Sequence, residues 1–462
     1  MFHYIWEFIC SRLEYIKIQR KWRIQNPDYH LSIGNYCSIA ENVTFLLGME
    51  HSLGYLSTYP FKVKCIHTAQ DVRLCPRVIM NKKKVVTIFE GIENVHLIKD
   101  VGMIPLTLQK EYGYAASVLA YSDKDYPCKD VYYSMVDFPL IKYGRGVVHK
   151  ITILKWLFFN AKKYSVLHLY FFSMWTGIYI WLYKLVNKNG LVYVHCDTDG
   201  ESFLNWKTHN KLKRFIAKKL LFTDKNLEDV LWGIQHKKNC GRLAGTWPFY
   251  NMRYIPNGVW WESYKSVEYN NRDNVLLTVA RNGTKQKNTE LLLEGFAAIA
   301  DEFPKWKLEL AGTVEKNFYR YIEKFFNRNP GLRKRVIFLG AISDREKLHE
   351  VYSDAKVFCL TSRWEGFSLT MVEALSCGCY VIASDISPNK DVTQDGKYGS
   401  LFQVGNLNAF IGQLRSNLSD EQHMKKVSEE AKIYAENNFT WKKCLEPVNE
   451  WICGRQDIEM NK

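Results

Sequence analysis

Two glutamates carry the first suggestion of chemistry. Glu365 and Glu373 lie eight positions apart in the stretch Ser362 to Asp385, S-R-W-E-G-F-S-L-T-M-V-E-A-L-S-C-G-C-Y-V-I-A-S-D. Glu365-Gly366 has the composition of a loop. Ser368 or Thr370 can cap a helix that ends near Ser376, with Gly378 beyond it as a stop. A helix N-terminus presents unpaired N–H groups and a partial positive charge, so it suits a phosphate. Gly366 lets a ligand approach the backbone closely. The layout fits a diphosphate held between two hydroxyl-bearing sugars. The amides near Phe367, Ser368 and Leu369 would hold the phosphates. Of the two carboxylates, Glu365 before the helix and Glu373 two turns along it, one would hold the sugar hydroxyls and the other the ribose. A solvated loop glutamate and a helix-surface glutamate would leave the same letters.

A second constellation is Arg281-Asn-Gly-Thr-Lys-Gln-Lys287, where Arg281 and Lys287 flank Gly283. Placed after a strand, the arginine offers forked hydrogen bonds and the lysine a point charge to a departing diphosphate. His195 sits where Gly190-Leu-Val-Tyr-Val-His-Cys-Asp-Thr-Asp-Gly200 passes from strand to polar loop. Open α/β sheets bind ligands at such carboxyl ends; a core histidine is the equal alternative. Asp100, beside Gly102, either serves acceptor hydroxyls or caps a helix. Cys377-Gly-Cys379 alone is too little for a metal site.

The elements that must position these residues alternate strand and helix. Val85–Phe89, Ala115–Tyr121, Val166–Tyr170 and Gly190–Val194 read as strands of a first domain, with a helix through Leu106–Lys110 and a stop at Tyr112-Gly113. Leu220–Thr223 and a helix after Asn226 continue the alternation. From Asn274 a second series begins: Val275–Ala280, Trp306–Gly312, Val336–Gly340, Lys356–Leu360 and Tyr380–Ser384. Strand–loop–helix–strand units this short build parallel sheets. Tyr164 to Tyr183 is nearly uncharged, but His168, Ser173, Thr176 and Gly177 interrupt it, so it reads as a strand plus a buried helix rather than a membrane span.

With its flanks, E-G-F-S-L-T-M-V-E-A resembles the paired-glutamate signature of retaining glycosyltransferases of family 4, over roughly Lys83 to the C-terminus. The resemblance implies the α/β GT-B fold, two facing Rossmann-like doubly wound domains with a cleft between. It implies residues 79–262 as acceptor domain, 263–438 as nucleotide-sugar donor domain, and 439–462 as a helix crossing back. Arg281 and Lys287 match the family's cations on the donor diphosphate, and these two with Glu365 and His195 are the expected catalytic set. Gly283, Gly366, Phe367, Ser368, Leu369 and Glu373 are expected to bind donor, and Asp100 and Gly102 to form the acceptor loop. The usual Gly-Gly pair there is replaced by Lys99-Asp100-Val101, and an acid usual near Tyr254–Val259 by Trp260. Asp197-Thr-Asp199 resembles the metal-holding D-x-D of the other glycosyltransferase fold, but GT-B does not need it. No metal or other cofactor is expected. The reaction implied is transfer of a sugar from a nucleotide diphosphate sugar to an acceptor hydroxyl.

Residues 1–78 read differently. Residues 1–24 set Ile5, Phe8, Ile9, Leu13, Ile16 and Ile18 among Arg12, Lys17, Arg20, Lys21 and Arg23, the spacing of an amphipathic helix with a basic face. Ile33, Ile39 and Phe45 recur every six residues, and residues 31–61 resemble a fragment of the left-handed β-helix of hexapeptide-repeat O-acetyltransferases, with His51 at the place of their base. One coil cannot bury its own face, so a truncated, catalytically dead fragment is expected.

The 462 residues carry a formal charge of +15, which favours anionic partners. No zinc finger or aromatic–basic single-strand motif points to nucleic acid. Twelve cysteines without framework spacing, and no secretory signal, imply reduced thiols in the cytoplasm. The expected setting is bacterial surface polysaccharide assembly, with a glycan or lipid-linked glycan acceptor at the inner face of the membrane and peripheral contact with anionic lipid. Alternatives are a sugar-nucleotide-binding protein without turnover, a soluble glycan phosphorylase or synthase, and an acetyltransferase acting through the N-terminal coil.

Overall fold

The structure is a computed structural model. It describes residues 83–133, 135–144, 146–196, 215, 217–259 and 267–460, together with Ile5–Glu7 and Cys37–Ile39. Contacts divide the chain into two units, Met1–Lys82 and Lys83–Lys462. In the first unit Ile5–Glu7 and Cys37–Ile39 are strands paired antiparallel. Ile5–Glu7 therefore corrects part of the helix expected over residues 1–24: its isoleucine and tryptophan are strand formers, and backbone pairing takes them. The rest of that helix and, apart from Ile39, the six-residue repeat with His51 lie outside the described residues.

The second unit holds two six-stranded sheets, all parallel. The first contains β1 Lys84–Ile88, β2 Ala115–Val118, β3 Val166–Tyr170, β4 Leu191–Cys196, β5 Val230–Ile234 and β6 Met252–Tyr254, in the order β6-β5-β4-β3-β1-β2. The second contains β7 Asp273–Val279, β8 Lys307–Ala311, β9 Val336–Gly340, β10 Ala355–Leu360, β11 Tyr380–Ser384 and β12 Ser400–Phe402, in the order β9-β8-β7-β10-β11-β12. Strands β3, β4, β5, β10 and β11 are buried along their whole length, as parallel strands covered by helices on both faces must be. The helices used below are α1 Asp100–Tyr112, α2 Val148–Asn160, α3 Met174–Val186, α4 Thr289–Ile299, α5 Leu369–Ser376 and α6 Trp441–Met460.

Two expectations change in the first sheet. Leu220–Thr223 is not a strand: Ala217–Leu221 forms a π-helical turn, and β5 follows it at Val230–Ile234. Helix α1 begins at Asp100, six residues earlier than Leu106, and ends on Gly113 in the left-handed conformation. Its first turn lies so close to the preceding turn that a Cβ on Gly102 would meet the Leu97 carbonyl oxygen at 2.0 Å.

Two crossings join the domains. Val259 donates its N–H to the Phe439 carbonyl at 2.7 Å, and a Cβ on Gly258 would meet the Trp441 nitrogen at 2.5 Å. Helix α6 then crosses back, placing Trp441, Leu445, Val448, Trp451 and Ile452 in the core of the first domain. Among the described residues, no helix is long and apolar enough to cross a membrane.

Candidate active site

The order of the second sheet reverses between β7 and β10, and the loops leaving those two strands carry the cations and the first glutamate. In doubly wound sheets ligands bind in that crevice. Lys287 Nζ lies 2.5 Å from Glu365 Oε1, with both side chains largely buried. Gln286 Nε2 donates to Glu365 Oε2 at 3.1 Å and to the Trp364 carbonyl at 3.0 Å. Arg281, exposed at the rim, donates to Gln286 Oε1 at 3.2 Å. Arg281, Gln286, Glu365 and Lys287 thus form one row, two cations about one buried carboxylate. Such a pair holds its lysine in place, because separating it would leave a buried charge without compensation.

Gly283 has φ +87° and no room for a side chain, since a Cβ would meet the Phe318 Cβ at 2.3 Å. Its N–H is bonded to Thr289 Oγ1 at 2.9 Å, so its part is to turn the loop and pack it. Phe367 is buried, Gly366 and Leu369 are part-buried, and Ser368 precedes α5. The Ser368 hydroxyl makes no capping bond, contrary to the cap expected there. It and the hydroxyls of Thr370 and Ser362 are buried without a partner among the described residues. Buried hydroxyls are seldom left unbonded, and this concentration beside a helix N-terminus suits an anion.

Glu373 is the fifth residue of α5, a little over one turn along rather than two. The Tyr352 hydroxyl donates to its Oε2 at 2.8 Å. Burial raises its carboxyl to about 7, against the opposing pull of the Tyr352 bond and of the Arg345 and Lys99 charges. Lys99 precedes α1 in the first domain, so its charge acts on Glu373 across the cleft. Arg345 also bonds the Ile98 carbonyl on that side. Tyr352, Arg345, Lys99 and Gln286 were not signalled by the sequence, because each finds its role through a contact remote along the chain or through a side chain without a motif.

His195 is fully buried. Its Nδ1 is 2.7 Å from the Tyr193 hydroxyl, and its Nε2 is 3.1 Å from Asn257 Oδ1 and 2.6 Å from Gln235 Nε2. Asp100 Oδ2, at the start of α1, stands 3.8 Å from Nε2. Burial lowers the ring to about 4. Of the two readings open for His195, the contacts match a bonded core histidine that ties the start of α1 to the domain junction at Asn257. Gly102 is likewise buried inside α1, a tight-packing glycine and not part of an open loop.

Replacing His195 by alanine removes partners from three buried polar side chains and is expected to cost about 2–4 kcal/mol of stability. The folded ring resists a proton that the unfolded ring takes near 6.5. Its contribution is thus present above that value and lost as the pH falls toward 4. Denaturant titrations of wild type and His195→Ala between pH 4 and 7.5 check this; a difference that does not shrink toward acid pH refutes it.

Among the described residues no group of His, Cys, Asp or Glu could hold a metal ion. Asp197 and Asp199 lie outside the described residues.

Residues 261–434 match the family described as "Glycosyl transferases group 1". The likeness to that family is carried by this segment, the second of the two parallel-sheet domains. The matched segment contains Arg281, Lys287, Glu365 and Glu373. A Campylobacter jejuni N-acetylgalactosamine-N,N'-diacetylbacillosaminyl-diphospho-undecaprenol 4-alpha-N-acetylgalactosaminyltransferase is 26% identical over 260 residues, 54% of this chain and 66% of that protein. A Salmonella typhimurium lipopolysaccharide 1,6-galactosyltransferase is 30% identical over 138 residues, 29% of this chain and 37% of that protein. The chain thus spans between about a third and two thirds of the length of these curated relatives. Of the solved structures, Anabaena Alr3699/HepE in complex with UDP and glucose superposes with TM-score 0.60 at 14% identity, over 80% of this chain and all of that one. A Rickettsia africae glycosyltransferase gives 0.62 at 14%, over 81% and 99%. These superpositions establish the fold alone, GT-B.

Proposed function

We propose that this chain transfers a sugar from a nucleoside diphosphate sugar to a hydroxyl of a glycan or lipid-linked glycan acceptor, with retention, in the assembly of a bacterial surface polysaccharide. The observation that carries the reading is the row Arg281–Gln286–Glu365–Lys287 at the reversal point of the second sheet, with Glu373 on the helix that follows. Lys287 and Arg281 would take the negative charge that develops on the departing diphosphate, and preorganised charge there is the largest lever on such a reaction. Ser368 and Thr370 at the head of α5 would receive phosphate oxygens, and Glu373 the ribose hydroxyls. Asp100 and Lys99 face the acceptor side. No nucleophilic carboxylate is invoked: positioning and leaving-group stabilisation lower the barrier. The acceptor class is supported by two relatives, one named for a diphospho-undecaprenol-linked sugar and another for lipopolysaccharide.

The test is thermal stabilisation by a panel of nucleoside diphosphates and their sugars, with Glu373→Ala in parallel. One diphosphate nucleotide should stabilise the wild type selectively, by RT ln(1 + [L]/Kd), and not the variant. Stabilisation by acetyl-coenzyme A with no response to any nucleotide would overturn the reading in favour of the N-terminal coil.

A further inference from the structure

Helices α2 and α3 are apolar on the side where a surface helix is normally polar. In α2 the inward face is Ile153 and Leu157, both buried. The opposite face carries Val148, Ile151, Lys155, Phe158 and Phe159, all exposed, at the i, i+3, i+7 and i+10/i+11 spacing of one helical stripe. Phe159 is 68% exposed and Phe158 53%. Lys162 and Lys163 continue beyond its end, both exposed. The neighbouring α3 exposes Trp181 and Leu185 one turn apart, with Lys188 after them. The Ala217–Leu221 turn, packed on α3, exposes Lys218, Lys219 and Leu220.

The sequences of α2, α3 and this turn contain lysines but neither aspartate nor glutamate. Solubility alone would call for both signs, and a patch of large apolar tips set among lysines is a surface built to be covered. Lysines can lay their stems along apolar surface and reach outward with the charge. Phenylalanine and tryptophan enter the boundary between headgroups and acyl chains. Lys150 is paired with Glu90 and Lys184 with Asp229, whereas Lys155, Lys162 and Lys188 are exposed, and such ammonium groups attract anionic headgroups and repel a cationic partner.

We propose that this face, built from α2, α3 and the Ala217–Leu221 turn, docks the protein on an anionic lipid bilayer. Phe158, Phe159 and Trp181 enter the interface, and Lys155, Lys162 and Lys188 meet the headgroups. The surface is independent of residues 1–24, whose basic amphipathic pattern also fits a lipid surface. It deepens the proposed function by naming where an enzyme with a lipid-linked acceptor would meet its membrane. The inference rests on that reading only for its purpose, not for its physics.

The test is co-sedimentation of the full chain with vesicles of phosphatidylcholine alone and of phosphatidylcholine mixed with phosphatidylglycerol. Wild type should bind the mixed vesicles and lose that binding as salt rises. Phe158→Ser/Phe159→Ser should weaken binding at least tenfold with an unchanged melting temperature, because both side chains are already outside the core. Lys155→Glu/Lys162→Glu should weaken it on mixed vesicles only. Undiminished binding by both double variants overturns the proposal, as does the absence of wild-type binding. A wild-type dimer in light scattering that the phenylalanine pair abolishes, without vesicle binding, assigns the face to a second copy instead. Nucleotide stabilisation measured on the same samples separates the two readings: vesicle binding without it sinks the donor site and leaves this surface standing.

Discussion

Lys287→Ala is expected to lower kcat by about 10²–10³-fold while raising the donor KM far less. That is the behaviour of a group whose interaction strengthens as charge moves onto the leaving diphosphate. The geometry explains why lysine alone is not the whole device. Lys287 is held against Glu365 at 2.5 Å, and Glu365 is 6% exposed. Removing the lysine leaves a buried carboxylate without its counter-ion, so the variant should also lose stability, on the order of 3–5 kcal/mol for a buried pair broken on one side. The two effects separate in Lys287→Ala/Glu365→Gln. Neutralising both partners should recover most of the stability and none of the turnover. Lys287→Arg should keep the charge but recover turnover poorly, because a planar fork does not fit a slot shaped for a point charge beside Gln286. Steady-state kinetics with the donor identified by thermal shift, and urea titrations of the three variants, are the checks. A parallel loss in donor affinity and kcat would make Lys287 a ground-state anchor. Recovery of turnover in the double variant would remove it from the chemistry altogether.

The second domain was legible in the sequence because its candidate chemistry is local. Arg281, Lys287, Glu365 and Glu373 lie in or just after loops that leave buried strands, and apolar runs such as Lys356–Leu360 and Tyr380–Val381-Ile382-Ala383-Ser384 mark those strands without ambiguity. Parallel order then brings the two loops together with no further information. The first domain was less legible. Strand β5, V-L-W-G-I, is short, lacks alternation, and follows a turn whose Leu220-Leu221-Phe222 is the more apolar run. Gly102 and Pro105 hid the start of α1, since both are poor helix residues read in isolation. Here the glycine is required by the Leu97 carbonyl. His195 was open between two roles, because the contacts that decide it come from Gln235 and Asn257, 40 and 62 residues away. The Tyr352 bond to Glu373 is equally non-local, 21 residues apart and across β10. No spacing rule carries such pairings.

That tyrosine and the burial around it make Glu373 the residue with the clearest pH signature. An exposed glutamate loses its proton near 4.5; burial raises Glu373 to about 7. The folded protein therefore holds a proton that the unfolded chain has released over that interval. The carboxyl's contribution is fully present below about 4.5 and is lost as the pH rises through about 7. Glu373→Gln keeps the shape and an oxygen for the Tyr352 hydroxyl but cannot ionise. Wild type and variant should differ by less than about 1 kcal/mol at pH 5, and the variant should be more stable at pH 8 by up to about 3 kcal/mol, the free-energy equivalent of the displacement. Donor binding should run the other way. Ribose hydroxyls donate, so the ionised carboxylate is the better partner, and wild-type affinity should rise as the pH passes through 7. The variant should bind weakly and show no such rise. The nucleotide also returns a benefit to the ionised form, so saturating donor should erase the wild type's disadvantage at pH 8. Melting curves for both proteins at pH 5 and 8, with and without the nucleotide, decide it. A stability difference independent of pH would mean that Glu373 ionises like a surface acid. A nucleotide response unchanged in the variant would place the ribose elsewhere in the cleft.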